Sequence, residues 1–141
     1  MIAVLGAGIA GVTAAHFLKA AGEEVLLVDR SEVPASGGSG AAGAFVSPKI
    51  GKGGPLQELT NDAFAFAKDF YREVTPHAFH ADGVLRIPKN PDDEVKFESY
   101  EAYNYRPYER WDAKKAQAAG LHNVPGGFFF PEAGDGDARE I

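Results

Sequence analysis

Gly6, Gly8 and Gly11 fall at G-x-G-x-x-G spacing within Gly6-Ala7-Gly8-Ile9-Ala10-Gly11, and Asp29 follows eighteen residues after Gly11. These residue types at this spacing bind rather than cut. A glycine at position 6 allows a sharp exit from a preceding strand. One at position 8 brings the backbone against a pyrophosphate, and one at position 11 lets a helix lie close to a sheet. The N–H groups and dipole at the start of that helix attract phosphate. An acid about 20 residues further on is placed to accept ribose hydroxyls. Asp29 argues against a 2′-phosphate, which leaves FAD or NAD and disfavours NADP. Arg30 beside it can face adenine or solvent.

Such a turn carries weight only between a strand and a helix. Ile2-Ala3-Val4-Leu5 reads as the strand before it. A helix is expected from about Gly8 to Ala21, with Ala14, Ala15, Leu18 and Ala21 toward the sheet and Gly22 just past its end. Val25-Leu26-Leu27-Val28 is then a second strand ending on Asp29. His16, mid-helix, is read as a packed or solvated side chain rather than a catalytic one.

From Ser31 to Gly43 the chain is almost free of bulky side chains. A flexible linker is one reading of such a Gly/Ser run. The other is a loop and helix start lying against a cofactor, and position favours it: the run follows the strand that carries Asp29. The candidate cofactor-binding residues are therefore Gly6, Ala7, Gly8, Ile9, Ala10, Gly11, Asp29, Arg30, Ser36, Gly37, Ser39, Gly40, Ala41, Ala42 and Gly43, with Ser36 or Ser39 bonding a phosphate oxygen. Gly51-Lys52-Gly53-Gly54 does not complete a phosphate loop, because Lys52 is followed by Gly53 and position 46 is Val.

Composition narrows the class. The chain has 141 residues, 45% apolar and 24% charged, enough for one domain with a core. It contains no cysteine, which excludes disulfides, thiolate catalysis and Cys-based zinc. A net charge of −6 disfavours the chain alone as an electrostatic nucleic-acid binder. No apolar run approaches a membrane span and no basic leader precedes the first strand, so a cytoplasmic protein is expected. A complete dinucleotide oxidoreductase needs a longer chain, and Asp137-Ala138-Arg139-Glu140-Ile141 reads as a helix opening without an end. An amino-terminal fragment is expected, with an incomplete sheet edge open to association.

The remaining residues set out a scaffold. A helix begins at Pro55, with Leu56, Leu59, Ala63, Phe66, Phe70 and Val74 as its core stripe. His77 and His80 are three apart, but Pro76 and an extended pattern argue against a shared helix face, and no third ligand is near; no metal is expected. Val84-Leu85-Arg86-Ile87 alternates like a strand. Asn90-Pro91-Asp92-Asp93-Glu94 is a helix start, with its acids against the dipole rather than on a metal. Tyr100, Tyr103, Tyr105, Tyr108 and Trp111, interleaved with Arg106 and Arg110, either cover a domain face or stack bases; packing is the favoured reading. Asp112 caps a short helix ended by Gly120, and Gly126-Gly127-Phe128-Phe129-Phe130-Pro131 reads as a turn and buried strand. The fold class expected is α/β: a Rossmann-type FAD-binding βαβ over 1–75, then the beginning of a mixed α+β substrate domain over 76–141, incomplete.

Taken in order, Gly6-x-Gly8-x-x-Gly11, Asp29-Arg30, the Ser/Gly/Ala loop and Gly43-Ala44-Phe45-Val46-Ser47-Pro48 resemble the amino-terminal part of the D-amino-acid oxidase and glycine oxidase class of FAD-dependent amine oxidases. Gly83-Val84-Leu85-Arg86-Ile87 and Gly127-Phe128-Phe129-Phe130-Pro131-Glu132-Ala133-Gly134 look like early substrate-domain strands of that class. Within it, Ser39-Gly40-Ala41-Ala42-Gly43-Ala44-Phe45, with Asn61-Asp62-Ala63-Phe64-Ala65-Phe66-Ala67 and Phe70-Tyr71, is similar to the oxidase half of the bifunctional tRNA 5-methylaminomethyl-2-thiouridine biosynthesis enzymes. The resemblance implies FAD as cofactor and a flavoenzyme that oxidises the C–N bond of a secondary amine. For the tRNA branch it implies removal of carboxymethyl from 5-carboxymethylaminomethyl uridine at the wobble position. With the chain opening at Met1, the bifunctional arrangement with a methyltransferase half is not expected here. The alternatives are an oxidase for free glycine, sarcosine or a D-amino acid, and a truncated nucleotide-binding module without activity. In this class the arginine and tyrosine that hold the substrate carboxylate come from later sequence, so no catalytic residue is named; Arg86 is read as structural.

Overall fold

The computed structural model describes residues 1–41 and 44–140. The chain divides into two compact units, Met1–Ala44 with Gly136–Ile141, and Phe45–Asp135.

The first unit is the expected βαβ. β1 (Ile2–Leu5) and β2 (Val25–Val28) pair in parallel, Ile2 opposite Val25 through Leu5 opposite Val28. α1 (Ile9–Ala20) crosses between them and packs on both. It ends as its sequence requires: the Gly22 amide donates to the Lys19 carbonyl and the Glu23 amide to the Leu18 carbonyl, which satisfies the last carbonyls. With two strands, each is an edge, and Leu5, Leu26 and Val28 are exposed. The run after β2 closes with a short α2 (Gly38–Ala41). Asp137–Glu140 forms a single turn, the Glu140 amide donating to the Asp137 carbonyl; among the described residues the expected carboxy-terminal helix does not develop.

The second unit holds two small sheets. β3 (Ala44–Val46), β8 (Gly134–Gly136) and β4 (Phe79–His80) lie in the order β3-β8-β4. β5 (Val84–Arg86) and β6 (Glu109–Asp112) flank the central β7 (Gly126–Phe130), both antiparallel to it. Alternation along β7 sends Phe128 and Phe130 into the core and Phe129 to the other face, where it stacks on Trp111 with centroids 4.4 Å apart. The core is Phe64, Phe97, Phe128, Phe130 and Ala133, with Tyr100 and Tyr108 packed against it. Phe97 stacks on Phe128 at 5.5 Å and Tyr108 meets Phe128 edge-on at 5.4 Å. Tyr100, Tyr108 and Trp111 are thus packing residues, as the favoured reading had it; Tyr103 and Tyr105 are exposed.

Three α-helices, and a 3-10 turn at Glu101–Tyr103, complete this unit. α4 (Pro91–Tyr100) is capped by Asn90, whose Oδ1 accepts the Asp93 amide at 2.9 Å, while Asp93 Oδ2 accepts the Lys89 amide at 3.0 Å. α5 (Ala113–Ala118) is capped by Asp112, accepting from the Lys115 amide at 2.8 Å. α3 (Pro55–Val74) begins at its proline as expected, but its buried residues are Gln57, Asn61 and Phe64. Leu56, Leu59, Phe66 and Val74, read from the sequence as the core stripe, are exposed; Leu59 is 67% exposed. The inward face is set by two amide side chains that bind loop backbone, a preference that hydrophobic periodicity does not register.

Candidate cofactor site

The glycine turn is built by contacts that only bare backbone permits. Gly6 leaves β1 at φ +102°, in the region L side chains rarely adopt. Its amide donates to the Val28 carbonyl at 2.7 Å, tying the exit of β1 to the end of β2. A Cβ on Gly11 would lie 1.8 Å from the Gly6 carbonyl oxygen and 3.6 Å from Val4 Cγ1, so α1 reaches the sheet only because position 11 has no side chain. A Cβ on Gly8 would lie 3.0 Å from Ser39 Oγ.

Asp29 stands at the end of β2 and locks the turn. Its Oδ2 accepts the Ala7 amide at 2.6 Å and its Oδ1 accepts the Ser31 amide at 2.8 Å. The Ala7 bond first, then the Ser31 bond, hold its carboxyl below the ordinary carboxylate range, with a smaller contribution from Arg30. A carboxylate has about four lone-pair sites and two are engaged here, so capacity remains for ribose hydroxyls. The Ala35 amide donates to the Ala7 carbonyl at 2.9 Å, and Ser39 Oγ accepts the Ile9 amide at 3.0 Å. The Ser/Gly run is therefore folded onto the glycine turn at two points. It is not a free linker.

Ala7, Gly8, Asp29, Arg30, Ser36, Gly37, Gly38 and Ser39 enclose a cavity of about 110 Å³. Dinucleotide pockets run to several hundred Å³, so this one suits a sugar and phosphate rather than a whole cofactor. Of the two candidate serines, Ser39 reaches the helix start and Ser36 lines the wall. Gly6, Ile9, Ala10, Gly11, Gly40 and Ala41 do not line the cavity. Gly11 and Gly40 act by close packing, a Cβ on Gly40 lying 2.0 Å from the Ala35 carbonyl oxygen. Ala42 and Gly43 lie outside the described residues. Sequence reasoning passed over Gly38, although its place between Gly37 and Ser39 was signal enough.

A larger cavity of about 380 Å³ opens in the second unit between Pro88, Glu94, Arg110, Trp111, Lys115 and Gly126. Three of its charged groups are engaged: Lys115 Nζ is 2.6 Å from Glu109, Asp112 caps α5 and the Arg110 guanidinium lies 4.8 Å from the Phe128 ring centre. No cofactor motif leads to it. Among the described residues no three His, Cys, Asp or Glu side chains are grouped to hold a metal ion, and no helix is long and apolar enough to cross a membrane.

All 141 residues match the family described as FAD dependent oxidoreductase, DAO. The chain belongs to that family. Its cofactor is accordingly FAD, which decides between the two dinucleotides left open by Asp29, and the residues that line the cavity fit the adenylate side of that cofactor. Among curated DAO relatives, the tRNA 5-methylaminomethyl-2-thiouridine biosynthesis bifunctional protein MnmC of Maricaulis maris is 41% identical over 97 residues, 68% of this chain and 16% of that protein. The protein of the same name from Magnetococcus marinus is 30% identical over 142 aligned positions, 94% of this chain and 21% of that one. The chain thus spans about a fifth or less of these relatives. Among solved structures, glycine oxidase from Bacillus cereus superposes with a TM-score of 0.75 at 23% identity, over 98% of this chain and 40% of that one. L-Proline dehydrogenase from P. horikoshii gives 0.73 at 20% identity, over 98% and 38%. At such identities the superpositions establish the DAO fold alone.

Proposed function

We propose that residues 1–75 hold FAD and that 76–141 open the substrate domain of an oxidoreductase that removes the carboxymethyl group from 5-carboxymethylaminomethyl uridine in tRNA. The observation that supports this reading is the 41% identity, over 97 residues, to a protein named for tRNA 5-methylaminomethyl-2-thiouridine biosynthesis. Asp29 takes the ribose hydroxyls, the glycine turn and the start of α1 face the pyrophosphate, and Ser39, with Ser36 on the wall, supplies hydroxyls to phosphate oxygen. Ser36 to Ala41 follows the cofactor. FAD, when bound, supplies the acceptor for the hydride leaving the C–N carbon of the secondary amine. The chain's part is to bind and orient; water then hydrolyses the imine to the aminomethyl nucleoside and glyoxylate. We place the protein in the cytoplasm, with its substrate.

A second reading, an oxidase acting on free glycine or sarcosine, is favoured by the net charge of −6, which suits a small substrate better than a polyanion. The full chain, given hypomodified tRNA and free glycine in parallel, separates the two. Conversion of the wobble nucleoside with release of glyoxylate supports the tRNA reading. Turnover of glycine with an untouched nucleoside supports the other.

A further inference from the structure

Loop 47–53, which leads from β3 to α3, is held by two buried amides one helical turn apart. Asn61, 2% exposed, accepts the Lys49 amide on Oδ1 at 2.8 Å and donates from Nδ2 to the Lys49 carbonyl at 3.3 Å. Gln57, 3% exposed, accepts the Gly53 amide on Oε1 at 2.9 Å and donates to the Tyr103 carbonyl at 3.1 Å. A buried amide that satisfies both of its ends on backbone fixes that backbone, since each lost bond would strand a polar group. The loop backbone is clamped, yet the side chains of Lys49 and Lys52 are exposed and make no ion pair among the described residues.

One exposed ring stands against the loop and a second lies two residues further along the chain. Gly53, at φ +81°, has Tyr103 Cδ1 2.7 Å from where a Cβ would be, so loop and ring are in direct contact. Tyr103 is 46% exposed and Tyr105 is 53% exposed. Tyr105 is steadied by its hydroxyl on the Glu58 carbonyl at 3.4 Å and by the Arg106 guanidinium 5.5 Å from its ring centre. Arg106 also neutralises Asp62, the acid next to Asn61, at 2.9 Å. Lysines without an ion pair on a fixed backbone, with an exposed ring against the same loop and a second two residues on, match the chemistry of single-stranded nucleic acid: cations track the phosphates while ring faces take unstacked bases.

We infer that Lys49, Lys52, Tyr103 and Tyr105 form the contact surface for an unpaired RNA loop. This rests on the tRNA reading above and supplies the basic surface which the overall charge otherwise denies it. The test uses the full chain loaded with flavin and an unmodified anticodon stem-loop RNA, with affinity measured against salt concentration. In K49A/K52A the slope of log affinity against log salt falls by about 1.4, two single-strand phosphate contacts. In Y105A affinity falls about fivefold or more at every salt concentration. Flavin content and melting temperature at wild-type values certify that each variant is folded. Wild-type binding with both variants unchanged overturns this surface and leaves the tRNA reading standing. A wild-type protein that does not bind the RNA removes both.

Discussion

The carboxylate of Asp29 accepts the amide of Ala7 at 2.6 Å, joining the end of β2 to the middle of the glycine turn. One side chain therefore shapes the turn and stands beside the cavity. The acid proposed to address the ribose is thus also a structural part of the glycine turn.

That double role gives a pH signature. The folded carboxyl titrates below its ordinary value of 3.8, so between the two values the unfolded chain binds more protons and stability rises with pH. Its contribution is complete above 3.8 and is lost as pH falls through the lower folded value. Asp29→Asn removes this dependence and releases flavin at neutral pH. Flavin retention and urea midpoint, scanned with pH in both proteins, check it.

Gly11 and Gly6 separate close approach from backbone conformation. Gly11→Ala places a Cβ 1.8 Å from the Gly6 carbonyl, so α1 must move away from the sheet. Gly6→Ala meets no neighbour and bears only the positive φ, about 1–2 kcal/mol. Thermal unfolding of the two variants should show Gly11→Ala as the more damaging, with loss of flavin.

Asn61→Ala should cost about 1–3 kcal/mol for each backbone group it strands at Lys49. Asn61→Asp, able to accept but not to donate when ionised, should recover only part. Denaturant midpoints for the three proteins measure this.

On α3, Phe64→Ala should destabilise this chain by about 3–5 kcal/mol, the range for a deleted core aromatic. Leu59→Ala should lie within about 0.5 kcal/mol of wild type because the side chain is exposed. Equal losses would return the apolar stripe to the core.

The outcome on α3 shows where sequence reading stops. β1, α1, β2 and the caps at Asn90 and Asp112 were legible because local chemistry dictates them: glycine sterics, strand runs, a side-chain oxygen at a helix start. β6 and β8 were not, because Glu109-Arg110-Trp111-Asp112 and Gly134-Asp135-Gly136 have no strand pattern of their own and become strands by pairing in their sheets. The face of α3 was misread for a similar reason, since Gln57 and Asn61 are buried by the loop backbone they bind. Spacing alone gave the glycine turn and the acid that the structure ties to it. That Ser39 meets the start of α1 was not legible, because the contact to Ile9 lies thirty residues away in sequence.

The most direct measurement is the visible flavin absorbance of the purified full chain with Gly8 replaced by leucine. Gly8 lies on the cavity wall, and even a Cβ there would be 3.0 Å from Ser39 Oγ. The wild type should carry flavin and the variant, still folded by circular dichroism, should have lost it. A folded Gly8→Leu protein with its full complement of flavin would contradict the account.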